Sequence, residues 1–109
     1  MMLQPNIDRT LAALADPHRR RVVELLRESP RRAGDLAAAA QISFPTMSRH
    51  LRMLRESGLV DEARDEFDSR VRIYRLRPEP MDDLKQWLQQ TEALWANQLA
   101  SLKRHLQKP

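Results

Sequence analysis

Between positions 43 and 52 the chain reads SFPTMSRHLR, which gathers hydroxyls at Ser43, Thr46 and Ser48, guanidiniums at Arg49 and Arg52, an imidazole at His50 and a phenyl ring at Phe44. The chemistry open to such a set is recognition, not bond breaking. A guanidinium makes paired hydrogen bonds to a guanine edge, a hydroxyl takes a phosphate oxygen, and an apolar group meets a thymine methyl. Arg70 and Arg72, further along, add two more cations to the same task. Catalysis finds no footing. The sequence sets no base beside Ser43 or Ser48, and with no cysteine and only two glycines it has neither a thiol nucleophile nor a glycine-rich phosphate loop. No enzyme and no catalytic residue is expected.

Metal chemistry is equally poor. Without cysteine a thiolate zinc site, a disulfide and a thiol redox switch are all ruled out. His18 lies in an arginine run and His50 at the edge of an apolar stripe, where packing or a phosphate contact suits them better than a metal. Asp82 and Asp83 are separated from His105 by roughly 30 Å of helix and cannot share an ion within one subunit. Neither a metal site nor a cofactor is expected.

Helices must position the SFPTMSRHLR set. Ile7, Leu11 and Leu14 recur at helical spacing and predict a first helix to about Ala15. Asp16-Pro17 reads as an N-cap with proline at the first helical position, opening a helix that turns Val22, Val23, Leu25 and Leu26 inward and stops before Pro30. Ala33–Ala40 form a short helix, Gln41–Ser43 a tight connection and Phe44–Ser57 a longer helix. Met47, Leu51 and Leu54 are its buried stripe, and Gly58 is its left-handed stop. With that stripe inward, 3.6 residues per turn carry Pro45, Ser48, Arg49, Arg52 and Glu56 to the opposite face. Taken alone, this helix is also compatible with an ordinary solvated basic face. The next segment shifts the balance towards a reading helix.

Leu59–Ala63 and Arg70–Leu76 are strand-like, with Asp65–Ser69 as the turn, and predict a two-stranded hairpin. Its second strand carries Arg70 and Arg72 as a wing would. Asp61, Glu62, Asp65, Glu66 and Asp68 predict an acidic tip that stays off an anionic partner. Pro78 and Pro80 are expected to break the pattern before a last helix from Met81 to Leu106. There Leu84, Leu88, Thr91, Trp95, Leu99 and Leu102 keep the three-to-four spacing, widened by Trp87 and Leu94. That helix is too long and too apolar for a small domain to cover. Ile7, Leu11, Leu14, Leu88, Trp95, Leu99 and Leu102 are therefore the expected dimer contacts.

The net charge of +4 and pI near 10.3 point to an anionic partner, nucleic acid by default. The surplus sits in the first 60 residues, which hold ten arginines against six acids. The start of the chain, Met1-Met2-Leu3-Gln4-Pro5, lacks a basic stretch followed by an apolar run. No apolar stretch approaches the ~20 residues of a membrane span. The expectation is a single cytoplasmic domain over residues 1–109, without membrane contact. Within it, 7–15 and 81–106 dimerise, 33–57 form the helix-turn-helix, and 59–76 form the wing.

Three segments in order, LADPHRRRVVELL, DLAAAAQISFPTMSRHLRMLRESGLV and RVRIYRLRP, resemble the ArsR/SmtB family of winged-helix repressors across nearly the whole chain. The resemblance implies a mainly α winged helix-turn-helix fold with a small hairpin. It also implies a homodimer that binds double-stranded DNA at an inverted-repeat operator and represses, often its own operon. By position, Ser43, Thr46, Ser48, Arg49 and His50 match the family's recognition-helix motif. Phe44 departs from it, since many members carry a polar residue there, commonly glutamine, so operator identity cannot be carried over. Metal-sensing members bear cysteine pairs on the preceding helix, where this chain has RRAGDLA, which implies a type without that metal site. The inducer stays open. The competing expectation is a winged-helix module that docks on protein, favoured by the acidic hairpin and opposed by the Arg49/Arg52 face.

Overall fold

A computed structural model of the chain describes residues 5–107, so the stretch Met1–Gln4, read above for a leader, lies outside the described residues. Along these residues the elements are α1 (Pro5–Leu14), α2 (Pro17–Glu28), β1 (Arg31–Arg32), α3 (Ala33–Ala40), α4 (Phe44–Glu56), β2 (Val60–Arg64), β3 (Arg72–Leu76) and α5 (Pro78–Leu106). No described helix is long and apolar enough to cross a membrane.

Capping residues set most of the boundaries. The Asp16 carboxylate accepts the backbone N–H of His18 at 2.7 Å and of Arg19 at 3.2 Å, which opens α2. The last turn of α1 has no basic residue of its own. Its carbonyls are closed instead from the next helix: Arg19 Nε donates to Ala13 O at 2.7 Å and Arg20 Nη1 to Leu14 O at 2.9 Å. Part of the arginine run is thus taken up inside the protein. Gln41 ends α3 at φ 58°, in the left-handed region, while Ile42 N–H donates to Ala37 O. Gly58, at φ 82°, ends α4 as its lack of a Cβ allows.

The core lies where these helices meet. Val22 of α2, Leu36 of α3 and Met47, Leu51 and Leu54 of α4 are essentially fully buried, and Leu59 and Val60 join them from the start of the hairpin. The expected stripe on α4 is therefore the one the core uses.

Three features differ from expectation. The hairpin is part of a three-stranded antiparallel sheet of order β1-β3-β2, because Arg31 and Arg32 pair with Tyr74 and Ile73. β3 begins at Arg72 because Val71 N–H is committed to the turn, donating to Asp68 O at 2.9 Å. The strand does end before Pro78 and Pro80, at Leu76, but α5 starts at Pro78 rather than at Met81, since the first turn of a helix needs no intrahelical N–H.

α1 packs against α5, and this bears on two of the residues expected at the dimer seam. Ile7 is buried within the protomer, at 4% exposure, and Leu14 is half-buried against the core; neither forms an open face. Leu84 anchors the start of α5, but every residue from Leu88 to Gln107 is exposed. The helix projects, giving a body of 71 × 30 × 22 Å.

Thr10 is the buried polar exception on α1, fully enclosed, and among the described residues its hydroxyl has no partner. Thr10→Val keeps the branched shape and removes the orphaned group. It is expected to raise the unfolding free energy by about 1 kcal/mol, read as a higher urea midpoint at unchanged slope. A lower midpoint would show that the hydroxyl is satisfied.

Candidate nucleic-acid interface

α4 separates its duties by face. With Met47, Leu51 and Leu54 in the core, Arg49 and Arg52 stand exposed on the outside and Ser48 lies half-buried beside them. Among the described residues neither arginine has an acidic partner. Both guanidiniums keep their full set of donors for an external ligand.

The other expected contacts are placed unequally. Ser43 is committed to the cap: its oxygen accepts Thr46 N–H at 3.3 Å and its hydroxyl donates to Thr46 Oγ1 at 2.8 Å. Because the Thr46 oxygen accepts, its own proton remains free to donate to a phosphate. Phe44 is exposed at the first turn. It lines a cleft of ≈ 420 Å³ with Ser48, with Arg32 and Gly34 at the start of α3, and with Arg72 and Tyr74 of β3. α4 and the hairpin thus share one side of the molecule.

His50 turns aside from that face. Its ring lies 5.6 Å from that of His18, and its pKa is held below the ordinary value. Desolvation is the main cause, with the charges of Arg19, His18 and Arg49 adding to it and the Asp16 carboxylate opposing. The fold therefore prefers the neutral ring. A pKa lowered on folding contributes stability that is present above the unfolded value of 6.5 and lost as pH falls through the folded one. Unfolding free energy is expected to decline as pH is taken from about 7 to about 5, and His50→Gln to flatten that decline. An identical decline in the variant would assign it to another group.

The wing is less acidic than its sequence. Asp61 pairs with Arg75 across the strands at 2.7 Å, Glu62 with Arg55 and Arg72, Asp65 with Arg32, and Asp68 with Arg70. The carboxylates lie underneath, with side chains 13–40% exposed, and the guanidiniums lie over them at 48–89%. Arg70 and Arg72 are thus partnered inside the protein, yet they form the outer surface. Glu62 also bears on Tyr74, whose hydroxyl is pushed above its usual pKa by burial and then by that carboxylate. Four of the five acids are thus paired, and Glu66, exposed at the tip, is the one without an ion pair among the described residues. Phe67, at the tip, was given no role by the sequence reading, since a lone aromatic in a turn carries no periodic signal.

Among the described residues no three histidine and acidic side chains converge as a metal site would require.

Residues 16–62, from the cap of α2 to the start of the wing, match the profile described as bacterial regulatory protein, arsR family. The chain is 39% identical over 71 residues to the HTH-type transcriptional regulator Rv2034 of Mycobacterium tuberculosis, covering 65% of this chain and 64% of that one. It is 36% identical over 52 residues to the transcriptional repressor SdpR of Bacillus subtilis, covering 48% and 58%. The chain thus spans less than two thirds of the length of either curated relative. A solved structure, a possible transcriptional regulator for arsenical resistance, is 31% identical with a TM-score of 0.66, covering 94% of this chain and 97% of that one.

Proposed function

Because the chain belongs to the arsR family of bacterial regulatory proteins, we propose that it is a sequence-specific DNA-binding transcriptional regulator. It acts in the cytoplasm as a homodimeric repressor of a pseudo-palindromic operator, with its own upstream region the first candidate. The observation that carries this reading is the outer face of α4, where two unpaired arginines stand on a helix locked into the core. The mechanism is occlusion. Two copies join along α5 and the outer edge of α1, where Leu11, Trp95, Leu99 and Leu102 are apolar and uncovered. Their α4 helices then enter successive major grooves ~34 Å apart and exclude RNA polymerase.

Fluorescence anisotropy against DNA from the upstream region, over a salt series and with scrambled DNA as control, tests the reading. Tight binding that prefers the native fragment and weakens steeply with salt is the expected result. Weak binding equal on both fragments would turn the reading towards a winged-helix module that docks on protein.

A further inference from the structure

Among the described residues the most exposed large apolar side chain is not on the uncovered α5. It is Phe67 in the β2–β3 turn, 92% exposed. Single apolar residues on a surface are ordinary, but three features set this one apart.

The turn that carries it is tied down. The Asp65 carboxylate accepts Phe67 N–H at 3.1 Å and the Asp68 carboxylate accepts Arg70 N–H at 3.0 Å. Asp65 N–H donates to Val71 O at 2.8 Å, and Arg64 Nη1 donates to Ser69 O at 2.6 Å. A backbone held in this way leaves only the side chain's own rotation to be lost when the ring meets a partner. The surroundings bar a polyanion less than the sequence suggests, because Asp65 and Asp68 are paired with Arg32 and Arg70, which leaves the exposed Glu66 as the one tip carboxylate without an ion pair among the described residues. Lastly, the turn belongs to the hairpin that borders the outer side of α4. β3 shares the cleft with Phe44 and Ser48, and Arg32 bridges the start of α3 to Asp65 near the tip.

Resting on the DNA-binding reading above, we infer that Phe67 is an apolar wedge. With α4 in the major groove, the wing tip reaches the adjoining minor groove and the phenyl ring enters between two base pairs, with Arg64 and Arg70 on the neighbouring phosphates. Such insertion partly unstacks the step and bends the duplex. Unstacking costs least at flexible pyrimidine–purine steps, so the operator carries a TA or CA step outside each half-site, selected without a hydrogen bond to either base.

The test begins by selecting duplexes from a randomised pool with the full wild-type chain, followed by anisotropy on the enriched duplex. A fluorescent 2-aminopurine is placed at the flanking step to report unstacking. Phe67→Ala is expected to bind roughly tenfold more weakly, the size of one aromatic–base stack, with an unchanged salt slope and no fluorescence rise. Phe67→Leu, still a wedge, is expected to keep most of the affinity and the rise. Glu66→Gln separates charge from wedge: it is expected to tighten binding at low salt while leaving the fluorescence rise intact. If wild type enriches a duplex that Phe67→Ala binds as tightly, with 2-aminopurine dark in both, the wedge is wrong and the DNA-binding reading stands. If wild type enriches nothing, both are overturned.

Discussion

Replacing Arg49 and Arg52 together with alanine is expected to weaken binding to an enriched duplex by roughly 100- to 1,000-fold and leave the melting temperature where it was. The size follows from the usual worth of a guanidinium–guanine pair, about 1–3 kcal/mol each. The unchanged stability follows from the structure, since neither side chain has an acidic partner among the described residues and both face solvent. Arginine-to-lysine changes sharpen the result. Lysine keeps the charge but not the planar fork, so Arg49→Lys is expected to retain the salt slope and lose much of the preference for the selected sequence. Alanine variants that bind like wild type would remove α4 from the groove altogether.

Trp95→Glu combined with Leu99→Glu is expected to convert a dimer into a monomer on sedimentation and to cost binding about 100-fold or more. Trp95 is 61% and Leu99 50% exposed, so neither belongs to the protomer's core and the helical signal is expected to persist. The large loss at DNA reflects linkage: once one half-site is bound, a joined second reader is held near the other at high effective concentration. A double variant that remains dimeric would place the seam elsewhere than on the projecting half of α5.

The sequence revealed those parts of the molecule that local rules govern. Asp16-Pro17, Ser43 and Gly58 mark helix ends through their own side chains or backbone freedom, and Met47, Leu51 and Leu54 mark a buried face by spacing alone. The bounds of α3 were legible from Leu36 and its run of alanines, although no side chain caps its start. What stayed hidden depends on partners distant in sequence. Arg31 and Arg32 have no strand pattern and become β1 only because β3 offers Tyr74 and Ile73 opposite them. Ile7 looks identical in spacing to Leu11, and only the α1–α5 contact separates the buried from the open residue. The wing's acids read as a repelling cluster until the cross-strand register sets Asp61 against Arg75. Pro78 ends the strand pattern as expected, and the same residue also opens α5, since proline suits a helix's first turn.

The division of α4 into a packed face and an unpartnered one has an evolutionary consequence. Substitutions at Ser48, Arg49 and Arg52 leave Met47, Leu51 and Leu54 untouched, so descendants of this chain can drift through new outward residues at little cost in folding. The wing lacks that freedom. Arg70, Arg72 and Arg75 are matched to carboxylates, as Arg75 is to Asp61 and Arg72 to Glu62, so a change in one partner alters the charge balance around the other. In a lineage of such proteins the outward positions of α4 would diverge singly and quickly as regulatory targets change, while the hairpin would change slowly and by compensated pairs.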